Sequence, residues 1–595
     1  MEKKLGIKCK RKVICDVNDL HKVLEIVGTR NMREFDEILE KCGDRHRLQF
    51  LMLMLFCIIN LLSAMHYYSQ TIISFVPKHW CSDGFSEDLA IRTLATSWSN
   101  DDRVSSCLPG ASDAYDFSSS DVLSLSNQSE ALTCQRYDYE FYLGYESITS
   151  ELNWICDDAW KLTLGQSMFF VGSVVGTLVF GVLADSHGRL PILIVANLVA
   201  MFGNILTIFG TTLPLFCLFR FISGLATDSN FVMMYILVME YLRPSLRTKG
   251  LSICIGVFYC TGSMMAPWIA VFTRTWRGFL LATALPLAIV PLFYFIVPES
   301  VQWLVSKQKY ERAIKCLQQV AKINGQSVGE RDLVQFIDEC RRKQVHTEAA
   351  PNLLGLLKTP RLRRNTLILF FKSMVITLCY DAVSRNVQGL GISPFVMFTL
   401  SATAILPACV LLIALQDRIG RKAMASVSLL LSGVFISATG GILLNNVGTG
   451  DQQNTALVVA LSIIGRFGVT VAYNSGAQYA TELIPTCVRG QGVAVVHVMG
   501  YAFTFFSSYI LYTRALFSPM PELILGIISL LGAGLCLFLP ETLNRTLPTS
   551  LEDGENFGKT DRWYSFSFLE KRTQSIATLD ESVAGQSRRN RSEYF

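Results

Sequence analysis

Apolar residues come in twelve runs of roughly 20 positions, each bounded by charges, Pro or Gly. The runs cover residues 49–75, 161–184, 190–210, 213–241, 248–272, 277–297, 366–387, 393–415, 423–444, 455–480, 489–513 and 521–540. A helix of that length crosses the ~30 Å hydrocarbon layer of a bilayer. Three long polar stretches interrupt the series and divide it into six plus six. The pattern therefore predicts an all-α membrane protein of twelve transmembrane helices in two six-helix pseudo-repeats. Its expected parts are an N-terminal segment (1–48), a first span (49–76), a large loop (77–160), spans two to six (161–297), a linker (298–365), spans seven to twelve (366–541) and a tail (542–595). The first run follows the mostly polar residues 1–47, so it does not read as a cleavable signal peptide.

Composition narrows the class. Apolar residues make up 51% of the 595 positions and charged residues 17%, against about 25% charge in a soluble domain. The net charge of +5 is scattered, which excludes a nucleic-acid partner. No nucleophile triad, nucleotide-binding loop or zinc-binding helix stands out. The chain is not expected to be an enzyme or to carry a cofactor or metal.

Charge sets the expected orientation. Residues 1–47 hold twelve Lys and Arg, and residues 298–365 hold thirteen. Residues 77–160 hold only four, against fifteen Asp and Glu. Positive charge stays in the cytoplasm, so both termini and the linker are expected inside and the 77–160 loop outside. That loop carries Cys81, Cys107, Cys134 and Cys156. An even set in an extracellular loop reads as two disulfides, with three pairings open. It also carries Asn127-Gln128-Ser129, a sequon that directs glycosylation at Asn127. A second sequon, Asn544-Arg545-Thr546, falls on the expected inner side.

The two halves repeat in sequence. Asp185-Ser-His-Gly188-Arg189 after span two matches Asp417-Arg-Ile-Gly420-Arg421 after span eight. Glu240 and Arg247 after span four have the same spacing as Glu482 and Arg489 after span ten. Pro298-Glu299-Ser300 matches Pro540-Glu541-Thr542, and the Arg220-Phe221 and Arg466-Phe467 pairs lie in spans four and ten. Ion pairs among these groups at the inner helix junctions are expected to latch the halves on the cytoplasmic side and to break as that side opens. Buried ion pairs serve switches better than stability.

The repeated Asp-x-x-Gly-Arg turns, Glu-x6-Arg spacings and Pro-Glu-Ser/Thr ends resemble the major facilitator superfamily. The long Cys-containing outer loop is unlike sugar transporters and resembles the organic ion transporters, which carry organic cations, zwitterions and organic anions. Three local matches support this: Phe35-Asp36-Glu37-Ile38-Leu39, Thr149-Ser150-Glu151-Leu152-Asn153-Trp154-Ile155-Cys156-Asp157, and Glu482-Leu483-Ile484-Pro485-Thr486. The resemblance implies a substrate chamber between the halves near the bilayer midplane, exposed to each side in turn.

Ionisable groups inside spans are costly and mark function. Asp228 lies twelve residues before Glu240, about 18 Å from the inner end. The matching position of mammalian cation transporters resembles a lysine, so an acid here favours a cationic substrate group. The resemblance adds Phe231, Tyr380 and Asn474 as pocket residues. Asp381 is a second carboxylate; with Arg385 at i,i+4 it either pairs locally or faces a substrate ammonium. Tyr501 falls where cation transporters tend to carry Asp and anion carriers Arg; a tyrosine offers a cation its π face. Tyr67, Tyr68, Tyr259 and Gln478 complete the expected wall, and His497 reads as a packed imidazole or a proton carrier. The acidic outer loop would enrich cations at the mouth.

The linker holds amphipathic charged segments expected to form short helices beneath the bundle, and the tail from about residue 548 reads as disordered. These features together predict a plasma-membrane secondary transporter of small organic cations or zwitterions, with a sodium or proton coupling ion left open. Carriers of amino-acid-like zwitterions (carnitine, β-alanine or amine conjugates) or of organic anions are the alternatives. A non-transporting sensor on the same scaffold is a further one.

Overall fold

A computed structural model of the chain describes residues 37–43, 47–81, 136–242, 253–344, 353–449, 454–543, 550–559, and 545, 547, 548 and 566. Asn127, Cys107, Cys134 and Arg247 lie outside the described residues, as does all but one of the tail residues beyond 559. Twelve helices among the described residues are long and apolar enough to cross a membrane. In order, and numbered here as spans one to twelve, they are Arg47–Ile72, Cys156–His187, Arg189–Thr207, Leu213–Tyr241, Ile255–Thr273, Trp276–Phe295, Pro360–Arg385, Pro394–Ile419, Arg421–Asn445, Thr455–Leu483, Thr486–Ala515 and Met520–Leu537. Several run past the apolar stretch that announced them. Span seven starts at Pro360, a residue suited to a first helical turn, and winds through Arg361, Arg363 and Arg364 before the apolar run begins.

The chain divides into two compact units. The smaller contains three helices of the linker, Val301–Ser306, Tyr310–Asn324 and Glu330–Gln344. Asn324 ties this unit together: its amide donates to the carbonyls of Cys42 and Gly43 at 3.0 and 2.6 Å and accepts from the Leu48 N–H at 3.0 Å. Lys41 pairs with Asp332 at 2.7 Å, and that bond raises the Lys41 pKa.

The larger unit holds the spans. Spans two and four pack backbone to backbone. A Cβ on Gly172 would stand 2.2 Å from the Phe221 carbonyl oxygen, and one on Gly176 would stand 1.7 Å from that of Leu225. Small residues four apart let helices approach in lipid, where water does not drive them together. The two repeated turns also require glycine. Gly188 and Gly420 take φ of 114° and 105°, a region disfavoured for L side chains.

One element was not expected from the sequence. Strands Lys78–Cys81 and Tyr137–Glu140 pair antiparallel, Lys78 opposite Glu140, and draw the ends of the 77–160 loop together. Cys156 takes part in a disulfide. The Thr149–Trp154 motif has a structural reason. Glu151 accepts from the Trp276 indole at 2.6 Å and pairs with Arg277 at 2.6 Å. Trp154 packs edge-on against Phe216 at 5.2 Å. The motif thus seats the end of the loop on spans four and six.

Candidate functional site

Span four is not continuous. Its helix stops at Leu225, turns through Ala226–Asp228 and resumes at Ser229. The break frees backbone groups near the middle of the bilayer, and irregular backbone at that depth is tolerated where protein or a water-filled cavity meets it. Asp228 sits in the break. Its carboxylate accepts from Ser173 at 3.1 Å and Thr177 at 3.2 Å, two hydroxyls one turn apart on span two. The Tyr501 hydroxyl of span eleven faces the same carboxylate. No cationic side chain pairs with Asp228 among the described residues.

A wall of tyrosines runs on from Asp228. The Tyr501 and Tyr473 hydroxyls lie 3.3 Å apart. Tyr473 stacks on Tyr380, with ring centroids 4.3 Å apart and planes 24° apart. The Arg466 guanidinium covers Tyr380 at 4.4 Å, donates to its carbonyl at 2.9 Å and reaches the Tyr68 hydroxyl at 3.1 Å. Tyr68 in turn lies 6.1 Å from Tyr259. Asp228, Tyr501, Tyr473 and Tyr380 are half-buried. Phe231 belongs to a neighbouring aromatic group, 5.7 Å from Phe56 and 6.1 Å from Tyr235. Half-buried Asn474 spends one amide bond on the Thr470 carbonyl of its own helix, at 2.9 Å.

Asp381 is differently placed. It pairs with Arg385 at 2.8 Å and accepts from the Tyr67 hydroxyl. The local i,i+4 pair is therefore the alternative present, and Asp381 offers no free charge in this conformation. Arg385 donates to Gln166 at 3.2 Å and lies 5.0 Å from the Phe170 ring centroid. With the Arg466–Tyr68 bond and the Val76–Gln388 bond at 3.3 Å, these contacts join the first half to the second. Edge-on aromatic pairs Phe75–Phe395 and Tyr68–Phe398, both at 5.0 Å, seal the same layer. All lie toward the expected outer side.

Outside this layer is a cavity of about 830 Å³ shared by both halves. Gln166 and Arg385 line its floor, Trp154, Tyr142 and Tyr512 its walls, and His79 its hairpin side. Burial lowers the His79 pKa below the ordinary histidine value. None of the ten residues expected to line the substrate site, from Tyr67 to Tyr501, lines this cavity.

The inner ends show the repeat in three dimensions. Glu299 accepts from the backbone N–H of Arg189 at 2.9 Å, and Glu541 accepts from that of Arg421 at 3.0 Å. Ser300 donates to Glu240 at 2.5 Å; Thr542 donates to Glu482 at 2.5 Å. Asp185 pairs with Arg189 at 2.6 Å, and Asp417 with Arg421 at 3.0 Å. Arg421 also holds Glu482 at 3.0 Å, while Arg489 donates to the Ile484 carbonyl at 3.3 Å. In this conformation each of these bonds joins elements of one half, because the partners are the ends of spans that pack together within it; the expected latch between halves is one that breaks as the inner side opens. Gln478 belongs here too, not to the substrate wall. It accepts from Gln416 at 2.7 Å and donates to Glu482 at 3.0 Å, one turn further along span ten.

The structure thus gathers Asp228, Tyr501 and Tyr380, sets Tyr67 and Asp381 in the outer layer, and sends Gln478 inward. Sequence reasoning missed Tyr473, Ser173 and Thr177. The last two were visible as hydroxyls four apart in the otherwise apolar stretch 168–184, but such pairs are common helix decorations.

The sequence model of the sugar (and other) transporter family matches residues 112–550. An organic cation transporter-like protein of Drosophila melanogaster is 26% identical over 88% of this chain and 93% of its own length. Human solute carrier family 22 member 2 is 28% identical over 88% of this chain and 95% of its own. Among solved structures, the xylose transporter XylE of E. coli in an inward-open conformation aligns with a TM-score of 0.53 and 16% identity, over 85% of this chain and 99% of XylE. At that identity the likeness concerns the fold alone.

Proposed function

We infer the activity of this chain from the premise that it belongs to the sugar (and other) transporter family of the major facilitator superfamily. It is a multi-pass membrane transporter of the organic-ion type and not an enzyme. Within that class we propose a plasma-membrane carrier, with both termini cytoplasmic, that moves small organic cations or cation-bearing zwitterions by alternating access.

The observation that carries this reading is Asp228. A carboxylate inside a membrane span is costly unless something compensates it. Here only neutral hydroxyls do so, which leaves its charge for a positive solute group. The Tyr501–Tyr473–Tyr380 wall beside it presents aromatic faces, each worth about 0.5–2 kcal/mol to a cation depending on desolvation. Relatives named as organic cation transporters support the sign. The closed outer layer and the separate inner networks support a conformation with the outer side shut. Rocking the halves would exchange the Tyr67–Asp381, Gln166–Arg385 and Tyr68–Arg466 contacts for inner ones.

Uptake of labelled amines, zwitterions and anions into cells expressing the full chain tests this, run at two sodium concentrations and two pH values. Saturable uptake of amines or zwitterions is expected. Binding without flux would favour a sensor, and uptake confined to anions would overturn the assigned sign.

A further inference from the structure

The first half buries a cation that the substrate site does not use. Arg220 of span four is 0% exposed. Its guanidinium covers the Phe169 ring at 4.6 Å, and no group among the described residues accepts from Nη1 or Nη2. Its repeat counterpart behaves differently. Arg466 donates Nη1 to the Tyr380 carbonyl and Nη2 to the Tyr68 hydroxyl. Lys372 and Arg385, also buried in spans, likewise donate to protein oxygens. Arg220 alone of these four has both Nη groups without an acceptor among the described residues.

A second unpartnered group shares its layer. His66 of span one binds the Ser223 carbonyl of span four at 3.2 Å and the Asn204 amide at 3.1 Å. Asn204 also accepts from Ser223 at 2.7 Å, so its NH2 faces His66 Nδ1, and His66 Nε2–H donates to the carbonyl. That uses His66 as a neutral ring and leaves Arg220 as the charge of the cluster. Gln70 lies four residues beyond His66 and Arg220 three before Ser223. Spans one and four run antiparallel, so both lie one turn outward from the His66–Ser223 contact, on the faces that make it. Gln70 is 0% exposed, and both its amide oxygen and nitrogen lack partners among the described residues.

An uncompensated guanidinium in a low-dielectric interior calls for an anion. We propose that Arg220 and Gln70 form an enclosed site for one small monovalent anion, chloride under physiological conditions. The guanidinium supplies charge and the Gln70 NH2 a further donor. Full burial of Arg220, Gln70, His66 and Asn204 excludes a bulky organic anion. The site lies within the first half and is independent of the substrate assigned to Asp228. Its occupancy would stiffen the span one–span four contact while that half moves as a body.

The test is thermal unfolding of the full-length protein in lipid nanodiscs, with chloride replacing gluconate at constant ionic strength. The midpoint is expected to rise saturably by roughly 3–6 °C, with bromide acting like chloride. Gln70→Leu and Arg220→Gln are expected to abolish the rise. Equal midpoints in chloride, bromide and gluconate would overturn the proposal, as would a full rise retained in both variants. If Arg220→Gln does not fold, the wild-type halide series and Gln70→Leu decide. Wild-type crystals grown in bromide give a third readout: an anomalous peak between Arg220 and Gln70 supports the site, and its absence there overturns it.

Discussion

Asp381 and Arg385 stand one turn apart on span seven and form a 2.8 Å ion pair whose side chains are each 1% exposed. Around it, Tyr67 and Gln166 bring the first half against the second. Removing one partner of such a pair leaves an uncompensated buried charge, a loss of about 3–5 kcal/mol. Asp381→Asn should therefore lower the thermal midpoint and abolish uptake. The double variant Asp381→Asn, Arg385→Gln should recover much of the stability but not the uptake. Thermal unfolding and uptake measured on the same preparations check both; a single variant as stable as wild type would contradict the pair's structural role.

The turn between spans eight and nine is expected to reject any side chain. Gly420 has φ 105°, and a Cβ there would sit 2.3 Å from Glu541 Oε2. Gly420→Ala should cost about 1–3 kcal/mol from backbone strain alone and also disturb Glu541, which accepts from the Arg421 N–H. Glu541→Ala should cost about 1 kcal/mol, as loss of a helix-capping acceptor does. Chemical denaturation of the reconstituted protein can rank the two, with Gly420→Ala the more damaging.

Close packing of spans two and four gives a sharp contrast. Gly176→Ala places a Cβ 1.7 Å from the Leu225 carbonyl oxygen, whereas a Cβ on Gly181, one residue over a turn along the same helix, meets nothing within 4 Å. The first should reduce folded yield severely and the second should be silent, as read by size-exclusion profiles of the two variants. Equal profiles would mean that the helices do not touch at Gly176.

Much of this architecture was legible in the chain. The twelve spans followed from apolar runs long enough to cross a bilayer, and the pseudo-repeat followed from short motifs spaced alike in both halves. The repeated residues make paired bonds, Ser300–Glu240 and Thr542–Glu482, that the motifs alone do not predict. What the motifs did not tell was which surfaces those bonds join. A spacing fixes where a polar group sits along its helix, not which neighbour it meets, so Gln478, expected in the substrate wall, binds Gln416 and Glu482 instead. The break at Ala226–Asp228 was equally silent, since no proline or glycine lies in the turn itself. Asp228 was nominated because its depth could be counted. Its hydroxyl partners on span two could not be, because helix rotation is set by packing.

Tyr501 should tune affinity rather than permit transport. Tyr501→Phe keeps the aromatic face and removes the hydroxyl that faces Asp228 and Tyr473. Loss of one hydrogen bond to a charged group is worth about 1.5–3 kcal/mol, less whatever water restores. KM for a cationic substrate should change by roughly 3- to 30-fold, with little change in maximal rate. A large fall in maximal rate at unchanged KM would instead assign Tyr501 to the conformational step.

The most direct measurement is concentration-dependent uptake of a transported cation or zwitterion by wild type and Asp228→Asn, at matched surface amounts. The substitution keeps the size of the side chain and its bonds to Ser173 and Thr177 within reach while removing the charge. The counter-ion role predicts at least a tenfold loss in uptake efficiency, about 1.4 kcal/mol or more of binding. Asp228→Asn uptake equal to wild type in both KM and maximal rate would contradict it.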